Sequence, residues 1–136
     1  MKQLNRILIA DDEADIRKVV CLSLQHLSTY DVKMCEDGRD AVEKAADYAP
    51  DLIILDVMMP DLDGIRTFEK LREIPETSNT PIVFLTARIQ GDEVETYRAL
   101  GAINVIGKPF HPVELPKIIA EIWERHVESS AEGDRV

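Results

Sequence analysis

DLIILDVMMPDLDG occupies residues 51–64. Leu52–Leu55 is apolar at every position, the signature of a strand covered on both faces rather than of one with a wet side. Yet the run stops on a carboxylate, Asp56. Met58, Met59 and Pro60 follow, then a turn-rich loop closing on Gly64. A buried strand with an acid at its tip asks for a reason, and the rest of the chain supplies the context.

Four more short runs match this one: Arg6–Ala10, Val32–Cys35, Ile82–Leu85 and Ile103–Ile106. Between them lie stretches of helical period. Ile16, Val19, Val20, Leu24 and Leu27 form one stripe, and Ala41, Val42, Ala45, Ala46 and Ala49 a second. Ile65, Phe68 and Leu71 form a third. A weaker one joins Val94, Tyr97 and Leu100, with Gly101 where a helix would end. Leu115, Ile118, Ile119, Ile122 and Trp123 form the last, with Lys117, Glu121 and Arg125 toward water. Strand and helix alternating five times predict a doubly wound α/β fold, a parallel sheet with helices on both faces. One domain is expected over residues 5–126. Residues 127–136 are polar and aperiodic and are expected to be a disordered tail.

The chain has 136 residues, 45% hydrophobic and 31% charged, with a net charge of −10. That charge disfavours nucleic-acid backbones and anionic membranes as partners. No apolar run approaches the ~20 residues of a membrane span. The N-terminal MKQLNRILIADDEAD is too short in its apolar part and too acidic for a signal peptide, so a cytoplasmic location is expected. Cys21 and Cys35 form no CxxC pair and are read as reduced core thiols. His26, His111 and His126 have no metal-ligand spacing and are expected at the surface.

Ligands of open α/β sheets sit at the carboxyl ends of the strands. There the sequence places Asp11-Asp12-Glu13, Asp56, Thr86-Ala87 and Gly107-Lys108-Pro109. Two carboxylates about 4 Å apart repel by about 4 kcal/mol at an effective dielectric near 20. Several acids against the single Lys108 therefore need a further cation or a proton. An all-oxygen acidic site suits Mg²⁺. Beside it, an Asp56 oxygen can attack a phosphoryl group, with Thr86 and Lys108 on the phosphoryl oxygens and the Met58 carbonyl available to the metal. Taken singly, Asp11-Asp12 could equally be an acid pair favoured by a helix dipole. Phe110 is read as a packing anchor.

Asp11-Asp12, Asp56 within LIILDVMMPDLDG, Thr86-Ala87 and Lys108-Pro109-Phe110, in this order and spacing, resemble the receiver domain of two-component response regulators, most like the chemotaxis-type single-domain regulators. The resemblance spans about residues 5 to 126. It implies a flavodoxin-like fold with strand order 2-1-3-4-5 and five helices. It implies phosphorylation of Asp56 from a phosphohistidine on a sensor histidine kinase or phosphotransfer protein. Mg²⁺ is then held by Asp12, Asp56 and the Met58 carbonyl, and by Asp11 through water. A cis Lys108–Pro109 bond is also implied. Output is expected through the face of the fourth helix, fifth strand and fifth helix, from a monomer or weak dimer.

The sequence departs from the family pattern at Val105. Three residues before the lysine, many receivers carry a Tyr or Phe that turns inward on activation. Met58 and Arg88, each two residues beyond a site residue, stand where the family tunes the phosphoryl lifetime. A Mg²⁺-dependent phosphohydrolase like the haloacid dehalogenases would need an acid two after the nucleophile, where Met58 stands. A pseudo-receiver that only binds partners is disfavoured by the intact Asp12, Asp56, Thr86 and Lys108. No G-x-G-x-x-G follows the first strand, against dinucleotide binding. A stand-alone receiver is favoured over one cut from a longer regulator with an output domain.

Overall fold

Five parallel strands form one sheet in the order β2-β1-β3-β4-β5. In the computed structural model they are β1 Arg6–Ala10, β2 Asp31–Cys35, β3 Leu52–Asp56, β4 Ile82–Thr86 and β5 Asn104–Gly107. The helices are α1 Ala14–Cys21, α2 Gly38–Tyr48, α3 Gly64–Glu73, α4 Gly91–Leu100 and α5 Leu115–Asp134. The structure describes residues 3–26, 28–87 and 91–134, without the side chains of 91–92 and 130–134. Leu27 and Arg88 lie outside the described residues. No helix among them is long and apolar enough to cross a membrane.

The period-2 geometry of the strands divides the core in two. Leu8, Ala10, Ile53, Leu55, Ile82 and Phe84 face α2, α3 and α4, and pack on Ala41, Ala45, Phe68, Leu71 and Tyr97. Ile7, Ile9, Leu52, Ile54, Val83 and Leu85 face α1 and α5, and pack on Val20, Leu24, Ile119, Ile122 and Trp123. Every residue of β3 and β4 is buried. That is why those runs carry no alternation, and why β3 and β4 extend one residue further than their apolar runs, to Asp56 and Thr86.

Caps set the helix starts nearest the sheet's carboxyl edge. The Asp37 carboxylate accepts from the Asp40 amide, and Asp63 from the Arg66 amide, both at 2.8 Å. Each satisfies one of the orphan N–H groups of a helix start. At Gly101, φ is +119°, and a side chain there would meet the Phe68 ring at 3.0 Å. Glycine thus ends α4 for two reasons at once.

Four expectations are corrected. The first helix does not run evenly: Leu22–His26 is a π-helical segment. Within it Ser23 is buried and donates to the Pro112 carbonyl at 2.5 Å, while Leu22 is left exposed. On α4, Tyr97 is buried and Val94 half-buried, but Leu100 is exposed. Spacing of three and three again drifts round a 3.6-residue helix, so the third residue leaves the stripe. Cys35 is buried but Cys21 only half so, its thiol donating to Gln25 Oε1 at 3.0 Å; both are unpaired. The tail expected to be disordered is helical: α5 continues to Asp134. Val127 prolongs the Ile119–Trp123 stripe and packs on the α1/α5-side core, so apolar periodicity persists one turn beyond Trp123, past residue 126. Residues 135–136 lie outside the described residues.

Candidate functional site

The carboxyl edge of the sheet gathers Asp11, Asp12, Asp56, Thr86 and Lys108. Asp11 follows β1 directly, and its amide donates to the Cys35 carbonyl of β2 at 3.2 Å, extending the ladder by one rung. Asp11 is fully buried, and Asp56 and Thr86 are each 2% exposed. Asp12 is exposed. One oxygen from each of Asp11, Asp12 and Asp56 lies within 4.8 Å of the others.

Lys108 enters from β5. Its amide donates to the Thr86 carbonyl at 2.8 Å, and the Lys108–Pro109 bond is cis. The ammonium lies 2.9 Å from Asp11 Oδ2 and 3.4 Å from Asp56 Oδ2. The other oxygens take backbone donors: Asp11 Oδ1 accepts from the Glu13 amide at 2.9 Å, and Asp56 Oδ1 from the Met58 amide at 3.3 Å. The loop after Asp56 turns sharply, with the Gly64 amide on the Val57 carbonyl at 3.0 Å. A Cβ at Gly64 would stand 2.4 Å from the Asp56 carbonyl oxygen and 2.8 Å from Val57 Cα. Only glycine lets α3 begin so close behind Asp56.

The electrostatics are lopsided. Burial, then the charge of Asp11, pushes the Asp56 carboxyl up to about 6, against partial relief from Lys108 and the Met58 amide. For Lys108, burial pulls the ammonium pKa down, but the hydrogen bond and charge of Asp11, with Asp56 and Glu13, outweigh it and raise it. Lys108 stays charged, and one ammonium serves two buried carboxylates. The shortfall fits a divalent cation. Oxygen-only donors and an exposed third carboxylate, able to keep solvent in the ligand shell, match the preferences of Mg²⁺.

Sequence reading missed a cation. Arg17 Nη1 donates to the Asp11 carbonyl at 2.7 Å, tying the first turn of α1 to the acidic edge. Its amide donates to the Glu13 carbonyl at 3.1 Å. The signal was there: a cation one helical turn after the acids, whereas only the apolar positions of that helix were considered. Of the remaining site residues, Val105 pairs with Phe84 in the sheet and is partly buried against the α2–α4 core. The Met58 side chain is 69% exposed while its amide sits on Asp56. Phe110 packs partly into the α1/α5-side core. His26 and His111 are exposed, and His126 is half-buried with its ring 6.0 Å from that of Trp123.

Residues 7–120 match the family model of the response regulator receiver domain. The chain belongs to that family. It is 34% identical over 128 residues to the response regulator Rre1 of Synechocystis, which covers 93% of this chain and 55% of that relative. It is 40% identical over 122 residues to the phosphate regulon transcriptional regulatory protein PhoB of Escherichia coli, covering 88% of this chain and 52% of PhoB. The chain spans about half the length of the curated relatives it matches. Among solved structures, the chemotaxis response regulator CheY4 of Vibrio cholerae superposes with a TM-score of 0.81 at 32% identity, covering 88% of this chain and 99% of that one. The receiver identity, the flavodoxin-like fold and the phosphoacceptor role in two-component signalling follow from this membership.

Proposed function

We propose that Asp56 is the phosphoacceptor, taking a phosphoryl group from a phosphohistidine of a sensor histidine kinase or phosphotransfer protein. One observation carries the reading. Asp56 is a buried carboxylate at the end of a rigid strand, held between the Met58 amide and the Lys108 ammonium, beside a second buried acid. Such a group is fixed in place and short of positive charge, the two conditions under which phosphoryl transfer is assisted by positioning and electrostatics.

In the proposed step an Asp56 oxygen bonds to phosphorus as the P–N bond breaks, and the imidazole leaves with the electron pair. Lys108 then holds a phosphoryl oxygen in place of a carboxylate oxygen, and Thr86 donates its hydroxyl to another. Asp11, Asp12, Asp56 and the Met58 carbonyl would hold a Mg²⁺ ion, which would supply the remaining neutralisation of the phosphoryl oxygens. Met58, two residues after the nucleophile, has no proton to give a leaving group. The chain therefore acts as a switch that phosphorylates and dephosphorylates itself rather than as a phosphatase for outside substrates. Two free thiols accord with a cytoplasmic setting.

Output passes to a downstream protein through the α4–β5–α5 face. With Val105 partly buried in place of an aromatic ring, that face responds through Thr86 alone. Met58 and Arg88 set the phosphoryl lifetime.

Intact mass after exposure to acetyl phosphate tests the proposal. A single phosphoryl adduct is expected, dependent on Mg²⁺ and absent in Asp56→Asn. An adduct that survives Asp56→Asn, or none in wild type with Mg²⁺, would overturn it.

A further inference from the structure

At the sheet edge opposite the acidic site, a groove of about 470 Å³ opens along α5. Leu4, Tyr30, Trp123 and Val127 give it an apolar floor, and Glu124 and Glu128 stand on it as well. Trp123 and Val127 are one helical turn apart, and so are Glu124 and Glu128. The helix thus presents an apolar row beside an acidic row. The stretch of α5 that lines the groove, Ala120 to Glu128, spans about 12 Å at 1.5 Å per residue. Neither Lys nor Arg lines the groove among the described residues. Tyr30 and Trp123 are amphipathic rings of the kind enriched at protein contacts.

We propose that this groove docks a basic amphipathic helix of a partner protein, its apolar side chains on Trp123 and Val127 and its Lys or Arg residues against Glu124 and Glu128. The lining face of α5 from Ala120 to Glu128 offers a track for a helix laid alongside it. The acidic row and the net charge of −10 select a cationic partner and speed its encounter. They disfavour a second copy, because a two-fold contact sets the same patch, and so the same acids, against itself. All six of these residues except Tyr30 lie outside the shared stretch 7–120. The docking surface is independent of the phosphoacceptor reading.

The test pans a phage-displayed library of helical peptides on the full chain in excess Mg²⁺. Enriched peptides are then titrated by the fluorescence of Trp123, the chain's single tryptophan. The expected winners carry apolar residues one turn apart with Lys or Arg beside them, and change the emission saturably. The double variant Glu124→Lys/Glu128→Lys, both at exposed positions, should weaken them at least about tenfold with an unchanged urea midpoint. Four results would each overturn the proposal. They are no enrichment, winners without basic residues, affinity unchanged in the double variant, or a dimer in sedimentation that Val127→Asp abolishes. The last would assign the groove to a second copy.

Discussion

Replacing Asp56 by Asn should make the ion-free protein more stable at neutral pH, even as it abolishes phosphorylation. The Asp56 carboxyl rises from 3.8 to about 6 on folding, chiefly through burial and then through Asp11. A carboxyl whose pKa is raised in the folded state binds its proton more tightly there than in the unfolded chain. Stability therefore falls as pH rises through the window between those two values. The penalty is fully present above about pH 6 and gone below about pH 4. At 1.36 kcal/mol per unit, a shift of about two units sets an upper bound of about 3 kcal/mol. Asparagine is never ionised and removes that penalty. Its amide gives part of the gain back: with one face toward the Met58 N–H and the other toward the Lys108 ammonium, its NH₂ must oppose a donor, which costs about 1 kcal/mol. The net expectation is about 1–2 kcal/mol in favour of the variant, or about 3–8 °C in Tm.

Urea unfolding of both proteins in EDTA, from about pH 4.5 to about pH 8, reads the difference directly. Groups remote from Asp56 titrate alike in the two proteins and cancel. The gap should be widest at the alkaline end and close toward the acid end. A variant no more stable than wild type near pH 8, or a gap independent of pH, would refute the claim that Asp56 is held against its own charge.

Lys108→Met should act in the opposite sense, leaving Asp11 and Asp56 buried without a cation. A loss of about 3–5 kcal/mol is expected above pH 6, shrinking in acid, by the same urea series. Gly64→Ala should cost about 2–4 kcal/mol, because its methyl meets the backbone of Asp56 and Val57 at 2.4 and 2.8 Å, where no side chain can yield; the urea midpoint measures it. Mg²⁺ at a hundredfold over its Kd should stabilise wild type by about 2.7 kcal/mol. Thermal melts of Asp12→Asn should show most of that increment lost.

The fold was legible because its central strands are buried on both faces. Leu52–Leu55 and Ile82–Leu85 announce themselves by the absence of alternation, and with the three other short runs and the helical stripes between them they leave one architecture. The acidic site was legible for a related reason: Asp56 and Thr86 interrupt runs that are otherwise wholly apolar. Less legible were features that depend on what a residue meets across the fold. The π-helical segment at Leu22–His26 is anchored by Ser23 on Pro112, a partner 89 positions away. Arg17 belongs to the site through the Asp11 main chain, which carries no sequence signature. The end of α5 was misread because VESSAEGDRV has only Val127 to continue the stripe, and one residue is too little for a period. That one valine packs on the core, and the helix runs on.

The missed and the legible parts meet in the site's charge balance. Burial, then the charge of Asp11, holds the Asp56 carboxyl up, and Lys108, in contact with both acids, offsets only part of that. The β-sheet holds them there because Ile7–Ala10 and Leu52–Leu55 around them are fully committed to the core. The destabilisation at the carboxyl edge is thus sustained by packing on both faces of the sheet. Any event that changes charge at Asp56 must redistribute Lys108, which now bridges both acids. Lys108 is bonded through its amide to the Thr86 carbonyl, so such a rearrangement is felt at the ends of β4 and β5. Those strands lead into the α4–β5–α5 face. Under the proposed function, Asp56 would act on that face through these two adjacent strand ends, joined by the Lys108 amide on the Thr86 carbonyl.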